Sequence, residues 1–376
     1  MSSVIVNALV SITNLVGGQD AARKYNEFTV EELQAMSLLK RLSLNDWRLE
    51  LFTLSFIAGF VVLFWIGDRY NTYLVKNFLA SVKGAFTNNF YQFGVSPTET
   101  YIKDSSESYS SYATGRENIA KVNIVFRLKP RHNLFVWIME TALSFFTTSV
   151  PAPSDKVEIT ITPANSNVYD NFIAAVVSKL GMNDFRKENY FLSLTRTSDS
   201  SNLPESFVYM SEVNEFQEKI TTPDLKNALT LQAASFIRFI AFTDQPAEKP
   251  ESLQELIPRR RVVFSINLTS NKKELAQVQE ILEALFAIVD KLATKEISFR
   301  SEAVKKVVKT RENEIAKINK IKEDIKQEEL AEQKAQQARE ERDKLRSLSR
   351  EEQLKVEKKA QEKKQRKLAK KQRVRM

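Results

Sequence analysis

The 376-residue chain carries 56 Lys or Arg against 47 Asp or Glu, a formal net charge of +9, and 43% of it is hydrophobic. With no cysteine and a single histidine, His132, it excludes disulfides, Cys-ligated zinc, thiol catalysis and paired-His chemistry. It contains no Gly-rich GxxxxGK[ST] phosphate loop, and its positive balance points to an acidic partner, either nucleic acid or an anionic membrane surface.

Residues 1–48 open with an uncharged run, Ser2 to Gly18, that lacks the basic start and sustained apolar block of a signal peptide. We read it as a partly amphipathic segment that touches the membrane. A helix is expected to begin near Thr29, with Glu32 completing a capping-box pattern.

The stretch Leu51–Gly67 has 17 residues and no charge. As a helix it spans roughly 26 Å, close to the hydrocarbon thickness of a bilayer. Its anchor residues are Leu51, Phe52, Leu54, Phe56, Ile57, Phe60, Val61, Val62, Leu63, Phe64, Trp65 and Ile66. Charges bracket it at Asp46, Arg48 and Glu50, and again at Asp68 and Arg69. A buried core helix is the alternative, but a soluble helix rarely runs so far without a polar face. The pattern therefore predicts a membrane span over 49–70. Flanking Lys and Arg residues are balanced and do not set its orientation. Basic charge and the absence of cysteine place the large C-terminal part in the cytosol.

Beyond the span, Leu74, Phe78, Val82, Phe86 and Phe90 recur every four residues. They form one stripe of a juxtamembrane amphipathic helix over 71–94. That stripe either lies on the membrane surface or packs on the domain that follows.

Residues 95–294 alternate between patterns. Strands are predicted at Asn118–Leu128, Lys156–Thr162, Tyr190–Thr195, Phe236–Phe242 and Arg261–Thr269. Helices are predicted at Leu134–Phe146, Val168–Leu180, Asp224–Ala234 and Lys272–Leu292. Prolines mark the boundaries. The expected fold is an α+β domain with a mixed sheet. Leu134–Phe146, at 13 residues, is too short to span a bilayer. It is either a core helix or one that dips into the bilayer face. Trp47, Trp65 and Trp137 all fall in or beside the two most apolar stretches, which gives the second option its weight.

From Lys295 the composition changes to 27 basic against 16 acidic residues, with no Gly, Pro or aromatic residue after Phe299. This is the composition of a long basic helix or coiled-coil-like tail. Val304, Val308, Ile315, Ile318 and Ile325 trace a partial heptad seam, interrupted by Arg311 and Lys322. Lys355–Met376 holds 11 basic and 2 acidic side chains. The phosphate-tracking candidates are Lys358, Lys359, Lys363, Lys364, Arg366, Lys367, Lys370, Lys371, Arg373 and Arg375, on ribosomal RNA or on anionic lipid.

No GxSxG elbow, HExxH pair, kinase set or Rossmann fingerprint is present. His132 follows Lys129–Pro130–Arg131 at a predicted turn and reads as a solvated helix-start residue. Asp184 and Glu188 read as surface charges. No catalytic residue, metal, cofactor or small-molecule substrate is expected.

One apolar span, an α+β domain and a basic helical tail together resemble the calumin family. These are endoplasmic-reticulum membrane proteins that form the coiled-coil subunit of the PAT intramembrane chaperone complex, and the likeness here is to a short, fungal-like form. It covers roughly residues 50–376. It rests on Gly67–Asp68–Arg69–Tyr70, on RHNLFVWIMETAL from Arg131, on Arg259–Thr269 leading into Lys272–Leu292, and on the ending KKQRKLAKKQRVRM. The resemblance implies a non-enzymatic, single-pass factor beside the protein-conducting channel. It would contact the ribosome through its tail and assist insertion and packing of multi-spanning membrane proteins with a small membrane chaperone partner. The acidic luminal segment of animal members has no counterpart in residues 1–48, so calcium binding is not implied.

Overall fold

The computed structural model describes residues 28–38, 48–96, 98–147, 152–165, 169–347, 362 and 365–366. These residues form two compact units. One comprises the chain up to Asp244 together with Arg259–Ser298, and the other comprises Gln245–Pro258 together with the chain from Phe299. The amphipathic segment expected within Ser2–Gly18 lies outside the described residues.

Helix α1 (Val30–Ala35) starts where the capping pattern puts it, with the Thr29 amide donating to Glu32 Oε2 at 3.0 Å. Helix α2 (Arg48–Asn89) runs uninterrupted for 42 residues, or about 63 Å. It takes in both the apolar stretch and the amphipathic segment after it, with no proline between them to break the ladder. The stripe Leu74, Phe78, Val82, Phe86 and Phe90 is buried, which settles its two readings in favour of packing on the domain. Phe78 meets Phe126 edge-on, with ring centroids 5.5 Å apart.

Among the described residues the sheet has ten strands. They are β1 (Gln92–Phe93), β2 (Ile102–Lys103), β3 (Ser108–Thr114), β4 (Ile119–Arg127), β5 (Lys156–Pro163), β6 (Ala174–Ser178), β7 (Arg196–Ser198), β8 (Phe207–Ser211), β9 (Ile237–Thr243) and β10 (Arg261–Asn267). Their order is β1-β3-β4-β5-β10-β9-β6-β8-β7, with β2 on β3. A mixed sheet is expected from the sequence, yet every described pairing is antiparallel.

The two halves of the sheet differ. Strands β6, β8 and β9 are buried along their whole length, while β3, β4 and β5 bury alternate residues and leave one face open. The covered face lies against α2 and against α8 (Lys272–Ala293), whose Phe286 sits 4.9 Å from the Phe90 ring and 5.8 Å from the Phe86 ring. Between β4 and β5 stands α3 (Leu134–Phe146).

Three expected elements differ. Val168–Leu180 holds β6, because an unbroken apolar run carries no period that separates a helix from a doubly buried strand. Tyr190–Thr195 is not a strand: after α4 (Met182–Glu188) come the single turn α5 (Tyr190–Ser193) and then β7. Asn214–Ile220, which no pattern singled out, forms α6. Asp224–Ala234 breaks into α7 (Pro223–Ala228) and a 3-10 turn at Leu231–Ser235.

In the second unit, α9 (Ser301–Ser347) is 47 residues long. Its buried described side chains are Ala303, Val307 and Ile318, while Val308, Ile315 and Ile325 of the expected seam are exposed.

Candidate membrane-facing site

Helices α2 and α3 diverge from one point. A Cβ on Gly67 would fall 2.3 Å from the Arg131 carbonyl oxygen and 2.6 Å from the His132 nitrogen, so the chain entering α3 crosses α2 where only glycine fits. The next three residues each have a partner. Asp68 pairs with Lys103, Arg69 lies 4.9 Å from the centre of the Trp65 ring, and the Arg131 guanidinium lies 5.2 Å from that of Tyr70.

Below them Asn71 is fully buried and fully bonded. Its amide donates to the carbonyls of Ser106 (2.8 Å) and Lys129 (3.1 Å), and its oxygen accepts from Arg131 Nη1 at 3.0 Å. Arg131 also grips Asp155 with two nitrogens, at 2.7 and 2.6 Å. Burial works to raise the Asp155 carboxyl, but the Arg131 bonds and the Lys129 amide overcome it and hold the group below the usual carboxylate range. The sequence suggested a solvated His132. Instead its ring is part-buried, edge-on to Phe64 at 5.4 Å, with Nε2 3.7 Å from Glu107.

Above this junction the apolar half of α2 is bare. All twelve expected anchor residues, from Leu51 to Ile66, are exposed, and burial begins only at Gly67. It is the one described helix long and apolar enough to cross a membrane.

Helix α3 is capped by Asn133, whose side chain accepts from the Val136 amide at 3.2 Å. The core-helix reading of this segment does not hold, because it buries none of its residues, and Phe145 and Phe146 are 83% and 87% exposed. The patterning is inverted relative to a soluble helix. Glu140, Thr141 and Ser144 lie on the more covered side, while Phe135, Ile138, Met139 and Leu143 face out. The Thr141, Ser144 and Thr147 hydroxyls donate to carbonyls within the helix, leaving no unmet donor on its surface from these groups.

Arg366 is helical and exposed. The other nine expected phosphate contacts, Lys358, Lys359, Lys363, Lys364, Lys367, Lys370, Lys371, Arg373 and Arg375, lie outside the described residues. Among the described residues no group of three His, Cys, Asp or Glu side chains could hold a metal ion.

Residues 46–367 match the family described as PAT complex subunit CCDC47. The chain belongs to this family. The match begins just before α2 and takes in both compact units. Two fungal relatives carry the description UPF0674 endoplasmic reticulum membrane protein. The one from Saccharomyces cerevisiae is 26% identical over 361 residues, covering 88% of each chain. The one from Schizosaccharomyces pombe is 30% identical over 244 residues, covering 63% of this chain and 65% of the relative. Within the family match, the residues Gly67–Tyr70 and Arg131–Leu143 singled out in the sequence are the ones that build the α2–α3 junction.

Proposed function

We propose that this chain is a non-enzymatic, single-pass membrane factor of the endoplasmic reticulum with its domain and tail in the cytosol. It acts at the junction of ribosome and protein-conducting channel and assists multi-spanning proteins to insert and fold. The carrying observation is the pair of apolar helices that meet at Gly67, α2 long enough to span and α3 bare on its apolar side. In this arrangement α2 crosses the bilayer and α3 dips into the cytosolic leaflet, beside the channel or its client. The basic tail reaches ribosomal RNA. Family membership as a PAT complex subunit and the endoplasmic-reticulum description of the fungal relatives support the reading.

A second reading, a tether or lipid-handling protein with its tail on anionic lipid, needs a closed apolar cavity in its lipid-handling form. The described groove of about 400 Å³ between α7 and α8 is instead lined by Asp224, Glu280 and Glu283.

Photocrosslinkers at Phe135, Ile138 and Phe146 in native microsomes test the proposal. Capture of lipid together with channel or multi-spanning protein neighbours is the expected result. Capture of soluble proteins alone would overturn it.

A further inference from the structure

On the open face of the sheet, at the end nearest the α2–α3 junction, cations gather without matching carboxylates. The register sets Arg127 of β4 opposite Lys156 of β5. Arg238 joins them from β9, at the irregularity where that strand pairs with Ser265 and Ile266 of β10. It donates to Glu188 at 2.7 Å and to the Ser265 hydroxyl at 3.4 Å. Lys156 Nζ lies 3.6 Å from the other oxygen of Glu188. Arg238 and Lys156 therefore share one carboxylate, and Arg127 stands beside Lys156 without a contact to it. Neighbouring acids act on other cations: Asp155 pairs with Arg131, Glu158 acts on Arg261, and Glu107, beside the β3 partner of Arg127, lies 3.7 Å from His132.

The cluster has a rigid floor and an open top. Arg238 is buried, with the Phe185 ring 4.5 Å from its guanidinium. The Lys156 and Glu188 side chains keep a quarter and a third of their surface exposed, and Arg127 is exposed. Burial pushes the Lys156 ammonium below its usual range, and Arg238 and Arg127 push it the same way against Glu188. An anion placed here would relieve that repulsion.

Its position favours one source of anion. Arg127 precedes by four residues the Arg131 that abuts Gly67, a distance of at most about 14 Å even for a fully extended chain. Lys156 directly follows Asp155, the partner of Arg131.

We propose that Arg127, Lys156 and the Arg238–Glu188 pair form a binding site for the phosphate of an anionic phospholipid headgroup, at the surface of the leaflet that α3 enters. The site rests on the reading of α2 and α3 as lipid-facing helices. Arg238 and Glu188 hold the floor, while Lys156 and Arg127 contact the headgroup.

The test is native mass spectrometry of the full chain in detergent with phosphatidylserine or phosphatidylcholine. Phosphatidylserine should be retained preferentially. The R127Q/K156Q double variant should lose roughly tenfold or more of that retention, and R127K/K156R should keep it. An unchanged melting temperature in the Gln variant shows that folding is intact. Equal retention of the two lipids would overturn the anionic headgroup as the ligand, and no loss in the Gln variant would overturn the site. Inorganic phosphate displacing the lipid at equal concentration would assign a free anion and overturn the headgroup. Because the measurement needs no bilayer, failure of α3 to enter a leaflet would appear in the photocrosslinking and not here.

Discussion

Gly67 and Asp155 show how narrowly the junction is specified. A methyl at Gly67 meets backbone atoms, which cannot swing aside like a flexible side chain. Gly67→Ala should cost about 1–3 kcal/mol and lower the melting temperature of the detergent-solubilised chain by about 2–4 °C for each kcal/mol. Limited proteolysis between Lys129 and Asn133 should accelerate. Asp155→Asn leaves Arg131 without its charge partner and should cost about 3 kcal/mol at neutral pH. The sign with pH follows from the depressed carboxyl. Its contribution is complete above the unfolded value, about 3.9, and is lost as pH falls through the lower folded value. Acid melts of the parent should therefore lose stability below about pH 4, and D155N should lack that part of the decline.

At the scale of elements, α2 carries two environments on one helix. Phe78 is fully buried against Phe126, and Phe78→Ala should destabilise the domain by about 3–5 kcal/mol. Phe145→Ser with Phe146→Ser removes rings of similar size from α3, but these rings touch little of the protein. Thermal melts in detergent should move by no more than about 0.5 kcal/mol per site. In vesicles containing brominated lipid, quenching of the tryptophan fluorescence, to which Trp137 in α3 contributes, should fall. Unchanged quenching with an unchanged melt would show that α3 does not enter lipid. The open face of β3, β4 and β5 follows the same logic at sheet scale: alternation means one covered side, and the uncovered side holds Arg127 and Lys156.

For the whole molecule, the charge is concentrated at one end. Removing Lys355–Met376 takes away 11 basic and 2 acidic side chains. In the proposed role, co-sedimentation with ribosomes should weaken on this deletion. Its salt dependence should flatten by about 0.7–0.9 log units per log salt for each phosphate that the tail no longer neutralises. Ribosome binding unchanged in strength and salt slope would remove the tail from the mechanism.

The long apolar helix, the amphipathic stripe after it, the strands at β4, β5, β9 and β10, the helix α8 and the basic composition beyond Lys295 were all legible from residue order. Each is set by local composition: an uncharged run, a four-residue apolar spacing, a two-residue alternation or a density of Lys and Arg. What stayed hidden depends on neighbours distant in sequence. β6 reads the same as a buried helix until β8 and β9 flank it, because a strand covered on both faces loses its alternation. Glu188 looks like surface charge until β9 brings Arg238 to it from 50 residues away. Gly67 looks like any glycine in an apolar run until Arg131 crosses it. Whether α3 belonged to the core was likewise undecidable from its 13 residues, since apolar side chains suit protein and lipid equally. Only the packing of the rest of the domain, which leaves α3 uncovered, removed it from the core.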